Sequence, residues 1–336
     1  MTQHITGVGL LGPDRVRSAL RAALLAPSTH NTQPWLFRCT ADGIEVRADS
    51  RRALSAADPD GRELVLSCGA ALLNLRVAIQ AQGVHPTTTL LPRRDDPGLL
   101  AVVRPFTPRA ANPRIARLAE AIPQRHTNRR PFTGAAVGTA VLTELRAAAE
   151  IEHTWLPRLD SGQRKALHDL VQAAHEAQLS DPAFLAEWQE WTGRANDAHD
   201  GVPAYAAGVS PAVNDSWVLR DFAPGDGDSP AREIQAGDPM VLVIGSFRDD
   251  RLDHLRAGQA MERLLLTATA AGLDASFISQ PVEVPAVRAE LRQLLGGGLW
   301  PQIVLRVGYG TPAPKTPRRS LDEVLVSGGS IRTGQA

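Results

Sequence analysis

The chain has 336 residues, 43% of them hydrophobic, so it can bury a large core and could divide into about two domains. Its 36 Lys and Arg residues balance its 36 Asp and Glu residues, which leaves no overall positive field for a nucleic-acid partner. Its two cysteines provide neither a disulfide framework nor metal-ligand spacing, the N-terminus lacks a signal-peptide pattern, and no uninterrupted apolar stretch approaches the ~20 residues that cross a bilayer. We therefore expect a cytoplasmic protein with no metal, no nucleic-acid partner and no membrane partner.

The first part of the chain combines helices with paired strands. The segment from Asp14 to Leu25 begins with an acidic residue, has one apolar face and stops before Pro27, which predicts a helix. The other predicted elements are a hairpin of WLFRCT and IEVRA around Asp42-Gly43, a helix from Asp60 to Gln82 that is apolar almost all round and closed by Gly83, strands at Thr88 to Leu91 and Leu99 to Arg104, and a short helix from Asn112 to Ile122.

Two apolar helices suggest an internal repeat. GAALLNLRVAIQAQG, from Gly69 to Gly83, aligns with GQAMERLLLTATAAG, from Gly258 to Gly272, and each is followed by two predicted strands. Helices rich in Ala and Leu also resemble one another through composition alone. By itself, the match leaves repeat and coincidence equally open.

The segment of about residues 180–238 interrupts this pattern. It follows the predicted helix QRKALHDLVQAAHEAQL, is rich in Gly, Pro, Asp and Asn, and carries three of the six tryptophans, Trp188, Trp191 and Trp217. A long irregular segment within a compact chain is usually a functional lid or a linker, and its aromatic content favours a lid. The strand PMVLVIGSF, the helix from Asp253 to Ala271, the helix VPAVRAELRQLL, the strand PQIVLRVGYG and a basic tail are predicted to follow.

Two polar strings carry the chemistry. APSTHNTQPW, from Ala26 to Trp35, places hydroxyls and amides between a helix and a strand, as either an ordinary loop or a loop that holds a polar ligand. QRHTNRRPF, from Gln124 to Phe132, brings three guanidinium groups together with a hydroxyl and an amide. Guanidinium groups match phosphate oxygens in geometry and stay charged, so this string could hold a phosphate monoester; the alternative is a solvated basic stretch.

Together these strings resemble the FMN-dependent nitroreductase superfamily. RHTNRRPF is similar to that family's arginine-rich opening, APSTHNTQPW to its AlaProSer loop, and the final strand with GYG and PRRSLDEVL to its ending. With the Trp-rich insertion, the chain resembles the Acg branch, in which two nitroreductase-like halves are fused. The resemblance implies an α+β nitroreductase-like fold, with mixed β-sheets packed with helices and two pseudo-symmetric halves that mimic the family homodimer.

The two halves differ in a complementary way. The first, residues 1–115, keeps the AlaProSer loop but lacks a good arginine-cluster match; the second, residues 116–336, keeps the arginine cluster and the tail but lacks the loop. Because the family's dimers build each FMN site from both subunits, the resemblance implies one complete site in a single chain. A monomer is then sufficient for the FMN site, and a homodimer remains compatible with it.

The resemblance also implies a role for each matching residue of the arginine string. Arg125 and Thr127 would contact phosphate or ribityl oxygens. Arg129 would lie at the N1/O2 edge of the flavin ring, where a cation stabilises the negative charge of the reduced flavin.

Further cofactor-binding residues follow by position. The first half would supply Pro27, Ser28, Thr29 and Asn31. Ser279, Gln280 and Pro281 match the segment whose backbone meets the flavin's polar edge. Arg318 best matches the phosphate-binding arginine of the tail, with Lys315 and Arg319 near enough to substitute.

Three functions remain open. The first is an oxidoreductase in which FMN takes hydride from NADH or NADPH and passes electrons to a small molecule such as a nitroaromatic or a quinone, with no catalytic side chain required. The second is an FMN storage protein closed by its lid, and the third is a degenerate scaffold without flavin. His168 and His175 could share a helix face, but a third metal ligand is missing from that pattern.

Overall fold

The computed structural model describes residues 5–208 and 240–326. Residues 209–238 of the predicted insertion, including Trp217, lie outside the described residues. The helices are α1 (Pro13–Ala23), α2 (Arg62–Ala81), α3 (Pro113–Ala121), α4 (Thr139–Ile151), α5 (Ser161–Leu179), α6 (Pro182–Trp191), α7 (Arg251–Ala270), α8 (Gln280–Glu283), α9 (Pro285–Leu294) and α10 (Leu321–Val324). The strands are β1 (Trp35–Thr40), β2 (Gly43–Ala48), β3 (Val84–Leu90), β4 (Leu99–Pro108), β5 (Thr192–Arg194), β6 (Val202–Pro203), β7 (Met240–Ser246), β8 (Asp274–Phe277) and β9 (Trp300–Gly308).

Two sheets organise the described chain. The first has the order β1-β2-β4-β3 and the second β7-β9-β8, and neighbouring strands in both are antiparallel. Parallel pairing occurs in the short pair β5-β6 and at two single bridges, where Leu325 pairs with Phe37 of β1 and Thr127 pairs with Ala275 of β8. One large apolar core contains residues of both sheets and of the helices between them. The predicted α+β class is confirmed.

Most of the predicted elements form within a few residues of their expected ends. Strand β3 was expected only from Thr88, yet it begins at Val84, directly after the glycine that closes α2, because it pairs along the length of β4. The expectation of a wholly irregular insertion is wrong for its first part. Helix α6 forms there, with Asp181 accepting a hydrogen bond from the backbone N–H of Ala183.

Helices α2 and α7 cross in backbone contact. They meet at Gly69 and Gly258, the first residues of the two aligned strings. A Cβ on Gly69 would lie 3.0 Å from the Cα of Gly258, and a Cβ on Gly258 would lie 2.8 Å from the carbonyl carbon of Leu66. Any other residue at either position would therefore push the helices apart.

Helix α2 is long and apolar enough to cross a membrane by length and composition. Of its most apolar window, 72% is buried inside the protein, against α1, α7 and the first sheet. Its hydropathy is therefore that of a core helix.

Replacing Gly258 by alanine tests the helix crossing. Because the added Cβ would meet helix backbone rather than a flexible side chain, we expect G258A to lower the free energy of unfolding by about 3 kcal/mol, measured by urea unfolding. G298A is the matched control, since a Cβ there meets nothing within 4 Å, and we expect a change within about 0.5 kcal/mol. Equal stability of G258A and G298A would contradict the close approach.

Candidate functional site

A cavity of about 1010 Å³, counted out to its open mouth, is lined by the loop that follows α1, the start of α2 and the second sheet. Seven of the predicted site residues line it: Pro27, Ser28, Thr29, Thr127, Arg129, Ser279 and Gln280. The two polar strings of the sequence, far apart along the chain, therefore face the same space.

The arginine string is fixed against the second sheet. Thr127 pairs with Ala275 of β8, and the backbone N–H of Asn128 donates to the carbonyl of Ala275 at 3.0 Å. The buried Asn128 side chain donates to the carbonyl of Thr311 at 2.8 Å. The string and the start of the C-terminal tail are thereby held at the cavity.

The AlaProSer loop (APSTHNTQPW), which faces the same cavity as the arginine string, has an unusual backbone conformation. His30, Asn31 and Gln33 all have φ near +50 to +57°, a left-handed conformation that costs free energy for residues other than glycine and that clusters at functional sites. The backbone N–H of Gln33 donates to the Ser28 hydroxyl at 2.9 Å, and the Thr32 hydroxyl donates to the carbonyl of Thr29 at 2.9 Å. These local bonds hold the strained loop in shape.

Distant segments hold the same loop from outside. The Asn31 side-chain amide donates to the carbonyls of Gly201 and Pro317, at 2.9 and 3.1 Å. The Gln33 amide donates to the carbonyl of His199 at 2.9 Å. The loop is thus bonded to both the insertion and the C-terminal tail.

Three guanidinium groups form an arginine cluster, Arg125, Arg129 and Arg318. Burial lowers the pKa of Arg129 to about 10 and, with repulsion from the other two cations, that of Arg318 to about 9. Arg125 and Arg318 both donate to the carbonyl of Leu25, just beyond the last turn of α1, at 3.1 and 3.3 Å. All three remain cations at neutral pH.

One buried carboxylate faces this cluster. Glu262 of α7 is fully buried, and its Oε1 lies 3.6 Å from Nε of Arg125. Within the described residues, Nε of Arg125 and Nε of Arg318 donate no hydrogen bond. Burial raises the pKa of Glu262 to about 7, against the attraction of Arg125.

Four predicted site residues lie beside the cavity rather than on its wall. Arg318 donates to Oδ1 of Asn31 in the loop at 3.0 Å, and both Arg318 and Arg125 bond the carbonyl of Leu25 just before the loop. Pro281 is buried within α8. These residues support the cavity wall, and a direct contact of any of them with a ligand stays a prediction.

The far end of the cavity is acidic. Glu63, on the first turn of α2, lines it, accepting from the Thr29 hydroxyl at 2.8 Å and from Arg62 at 2.8 Å. Burial, and then the negative charge of Glu283, raise the pKa of Glu63 to about 8. The cavity therefore has cations at one end and a carboxyl with a displaced titration at the other.

The described part of the insertion touches both the loop and the arginine cluster. The carbonyl of Ala206 accepts from Arg129 at 3.0 Å, and Trp188 of α6 packs edge-to-face on His30, with ring centroids 4.9 Å apart. Asp200 accepts from Arg52 of the first half and from Arg194, the latter at 2.7 Å. Although burial opposes it, these hydrogen bonds hold the pKa of Asp200 below its usual value.

Metal binding receives no support from the described side chains. Across residues 5–208 and 240–326, no group of three or more His, Cys, Asp and Glu residues is placed to hold a metal ion. His168 and His175 lie on α5, away from the cavity wall.

Several residues at the site were not singled out by the sequence interpretation. Glu63, Glu262 and Gln302 are buried at or beside the cavity. A signal was present for the first two, because Glu63 lies in a helix that is apolar almost all round and Glu262 lies in the apolar string from Gly258 to Gly272. Gln302 sits in an apolar strand, where a single amide gives a weaker indication.

Comparison with known proteins gives a consistent picture. Residues 122–309 match the model of the Nitroreductase family. The chain is 35% identical to "Putative NAD(P)H nitroreductase Rv3131" of Mycobacterium tuberculosis over 93% of its own length and 91% of that protein, and 32% identical to "Putative NAD(P)H nitroreductase acg" of the same organism over 93% and 95%. Among solved structures, a nitroreductase with bound FMN from Bacteroides fragilis is similar over 65% of this chain and 98% of that chain, at 15% identity and a TM-score of 0.37.

The variant E262Q tests the buried carboxyl, because it keeps the shape of the side chain and removes its titration. With a pKa raised from 4.5 to about 7, Glu262 holds a proton in the folded protein that the unfolded chain has lost across this range. Its contribution to stability is complete below pH 4.5 and is lost as the pH rises through about 7. We expect the free energy of unfolding of E262Q, relative to wild type, to rise with pH across this window by up to about 1.4 kcal/mol per unit.

Urea unfolding from about pH 5 to about pH 8 measures this difference. The control is E290Q, which removes an exposed carboxylate from α9. If the two variants show the same dependence on pH, the displaced titration of Glu262 is refuted.

Proposed function

This chain belongs to the nitroreductase family, and on that premise we propose that it is an FMN-dependent oxidoreductase of the Acg-like branch. FMN would take hydride from NADH or NADPH and pass electrons, in a ping-pong sequence, to a small acceptor such as a nitroaromatic or a quinone. The observation that carries the proposal is that the AlaProSer loop and the arginine string line the same cavity. A cytoplasmic location completes the proposal.

The charges of the site fit an anionic cofactor. In the arginine cluster, the buried Arg125 and the half-buried Arg129 and Arg318 are accompanied by the single carboxyl of Glu262, which leaves an excess of positive charge. A phosphate monoester carries about −1.5 to −2 charges at pH 7 and would offset that excess. Nε of Arg125 and of Arg318 are buried and donate to no described residue, so each keeps an unused donor beside the site.

The lining of the cavity fits as well, because polar groups stand among apolar ones on its wall. Thr127, Ser28 and Thr29 offer hydroxyls to a polyol chain, and Met261 and Val304 offer apolar surface to a ring.

FMN, when bound, supplies the redox chemistry by accepting hydride at N5 and passing on two electrons. The protein then needs to bind, orient and exclude water. Arg129 places a permanent cation on the cavity wall, where it would stabilise negative charge on a reduced ring. The strained loop, bonded on both sides, fixes the positions of Ser28 and Thr29 before any ligand arrives.

We also propose that residues 1–115 and 116–336 are two nitroreductase-like halves. Two observations support this proposal. Gly69 contacts Gly258, and these two glycines occupy the same position in the two aligned strings. The AlaProSer loop on the cavity wall comes from the first half, and the arginine string on that wall comes from the second. One chain then provides both sides of a site, so a monomer suffices. A homodimer is compatible with this arrangement.

A second candidate function is storage of FMN under a lid. The observation that favours it is the cover formed by residues of the insertion, where Ala206 bonds Arg129, Trp188 packs on His30 and Asp200 joins two arginines. A lid with these contacts would hold the cofactor and restrict access to it. Rapid, sustained turnover of the intact protein with NADPH and a quinone would rule out storage as the sole function.

The arginine cluster provides the first functional test. The purified protein should be yellow, and R125A and R318A should each bind FMN about 10- to 100-fold more weakly, because each loses a charge-assisted hydrogen bond worth about 1.5–3 kcal/mol. Fluorescence titration of the released flavin and the rise in melting temperature with added FMN measure the affinity.

Arg109 supplies the control, since R109A removes an exposed arginine remote from the cavity wall. FMN affinity in R125A and R318A no weaker than in R109A would remove both residues from the site. A colourless protein whose melting temperature ignores FMN would instead support the degenerate scaffold.

The contact between the insertion and the first half provides a second test. Asn at position 200 cannot balance the charges of Arg52 and Arg194, so we expect D200N to loosen the cover and to raise the rate of flavin reduction by NADPH about 10-fold. Anaerobic rapid mixing followed by flavin absorbance measures that rate. D197N, an exposed neighbour, is the control, and equal rates in D200N and D197N would argue against a gating contact.

A further inference from the structure

The acidic end of the cavity is not explained by binding of a phosphate. Glu63 is the one carboxyl among the described residues of the cavity wall, and its residue is only 6% exposed. It lies at the start of α2, where Asp58 accepts the backbone N–H groups of Glu63 and Leu64 at 3.0 and 2.8 Å. The carboxyl is therefore held rigidly in place.

The groups that face Glu63 carry an excess of negative charge. Arg62, its neighbour on α2, donates to it and also to the carbonyls of Val282 and Gln302. Asp58 precedes the helix, and Glu283 of α8 approaches from the other side, where it accepts from Gln178 of α5 at 2.7 Å.

Three carboxyl groups thus lie around one close guanidinium group. From the loop, the neutral hydroxyl of Thr29 donates to Glu63, and Arg288 of α9 acts on Arg62 from farther away. Burial and these like charges favour the neutral acid, which places a proton on Glu63 at neutral pH.

A proton held here has a chemical use. Reduction of a quinone by hydride needs one proton in addition to the hydride, and a protonated side chain on the cavity wall can supply it. A general acid works best when it titrates near the working pH, and such acids contribute about 10²- to 10⁴-fold to rates.

We propose that Glu63 is the proton donor of the oxidative half-reaction, an assignment that rests on the proposed function. Bound FMN would supply hydride, with its two electrons, to one oxygen of a quinone. The O–H bond of Glu63 would break as an O–H bond forms at the other quinone oxygen, which would leave a hydroquinone and the Glu63 carboxylate. The carboxylate regains its proton from water before the next cycle.

A purely structural role for Glu63 is the alternative. In that case the carboxyl only anchors Thr29, and its protonation is incidental. E63Q separates the two roles, because the amide oxygen still accepts from the Thr29 hydroxyl while the titrating proton is gone.

The experiment uses the full-length, FMN-loaded protein with p-benzoquinone as the acceptor. First, the flavin absorption spectrum is recorded against pH without turnover, and wild type should show a one-proton change near pH 8 that E63Q lacks. Second, reduced protein is mixed rapidly with the quinone, and the rate in wild type should fall about tenfold per pH unit above that change. In E63Q the rate should be about 100-fold lower and independent of pH.

E283Q sharpens the test and remains available if E63Q does not fold. Removing the negative charge of Glu283 should move the spectral change and the rate profile together to lower pH, because Glu283 raises the pKa of Glu63. An anchoring role would leave the rate profile in place.

The outcomes separate the two proposals. The proposed function would be overturned if the protein retained no FMN, or if NADPH could not reduce the FMN that it binds. A yellow, reducible protein in which E63Q keeps the wild-type rate and pH profile would overturn only the assignment of Glu63.

Discussion

The contact between α2 and α7 at Gly69 and Gly258 is the constraint on which the rest of the molecule depends. With no Cβ at either position, the two helix backbones touch, and residues on both sides of the crossing come to fixed places. Glu63 lies toward the start of α2 and Glu262 lies just beyond the crossing on α7, so the acidic end of the cavity and the partner of Arg125 are both set by this contact. A wider helix separation would shift the two ends of the cavity relative to each other.

The electrostatics of the cavity follow from what this geometry buries. An isolated buried charge is costly, so buried ionic groups require partners of opposite charge. Around this cavity the numbers of cations and carboxylates do not match locally. Cations exceed carboxylates near Arg125, and carboxylates exceed cations near Glu63, although the whole chain is neutral. The strained loop lies between these two excesses and is bonded on both sides. A local excess of charge is tolerated where a bound ligand balances it. The charges at the site therefore indicate the function, whereas the net charge of the chain does not.

Much of the fold could be predicted from the sequence because local signals were strong. The amphipathic face of α1, the Asp42-Gly43 turn and the glycine after α2 each specify an element through its own residues, and the observed ends differ by only a few positions. Helix α6 was missed because its segment is surrounded by Gly, Pro and Asp, which mask a short helix. The two strings predicted to share a site do share a cavity. The resemblance to a family supplied this pairing, since neither string reveals its partner by spacing.

What the sequence could not give was the environment of single side chains. Glu63 and Glu262 were visible as acids in apolar helices, but their titration depends on Glu283, Arg62 and Arg125, which tertiary contacts bring near. The same environment bears on the choice between catalysis and storage. A store of FMN needs an anion site and a cover, and the arginine cluster and the insertion offer both. It has no use for an acid that keeps its proton at neutral pH, and burying such a group beside two further carboxyls lowers stability as the pH rises. A carboxyl that lies on the cavity wall despite that penalty favours a site in which protons are transferred, and therefore the oxidoreductase.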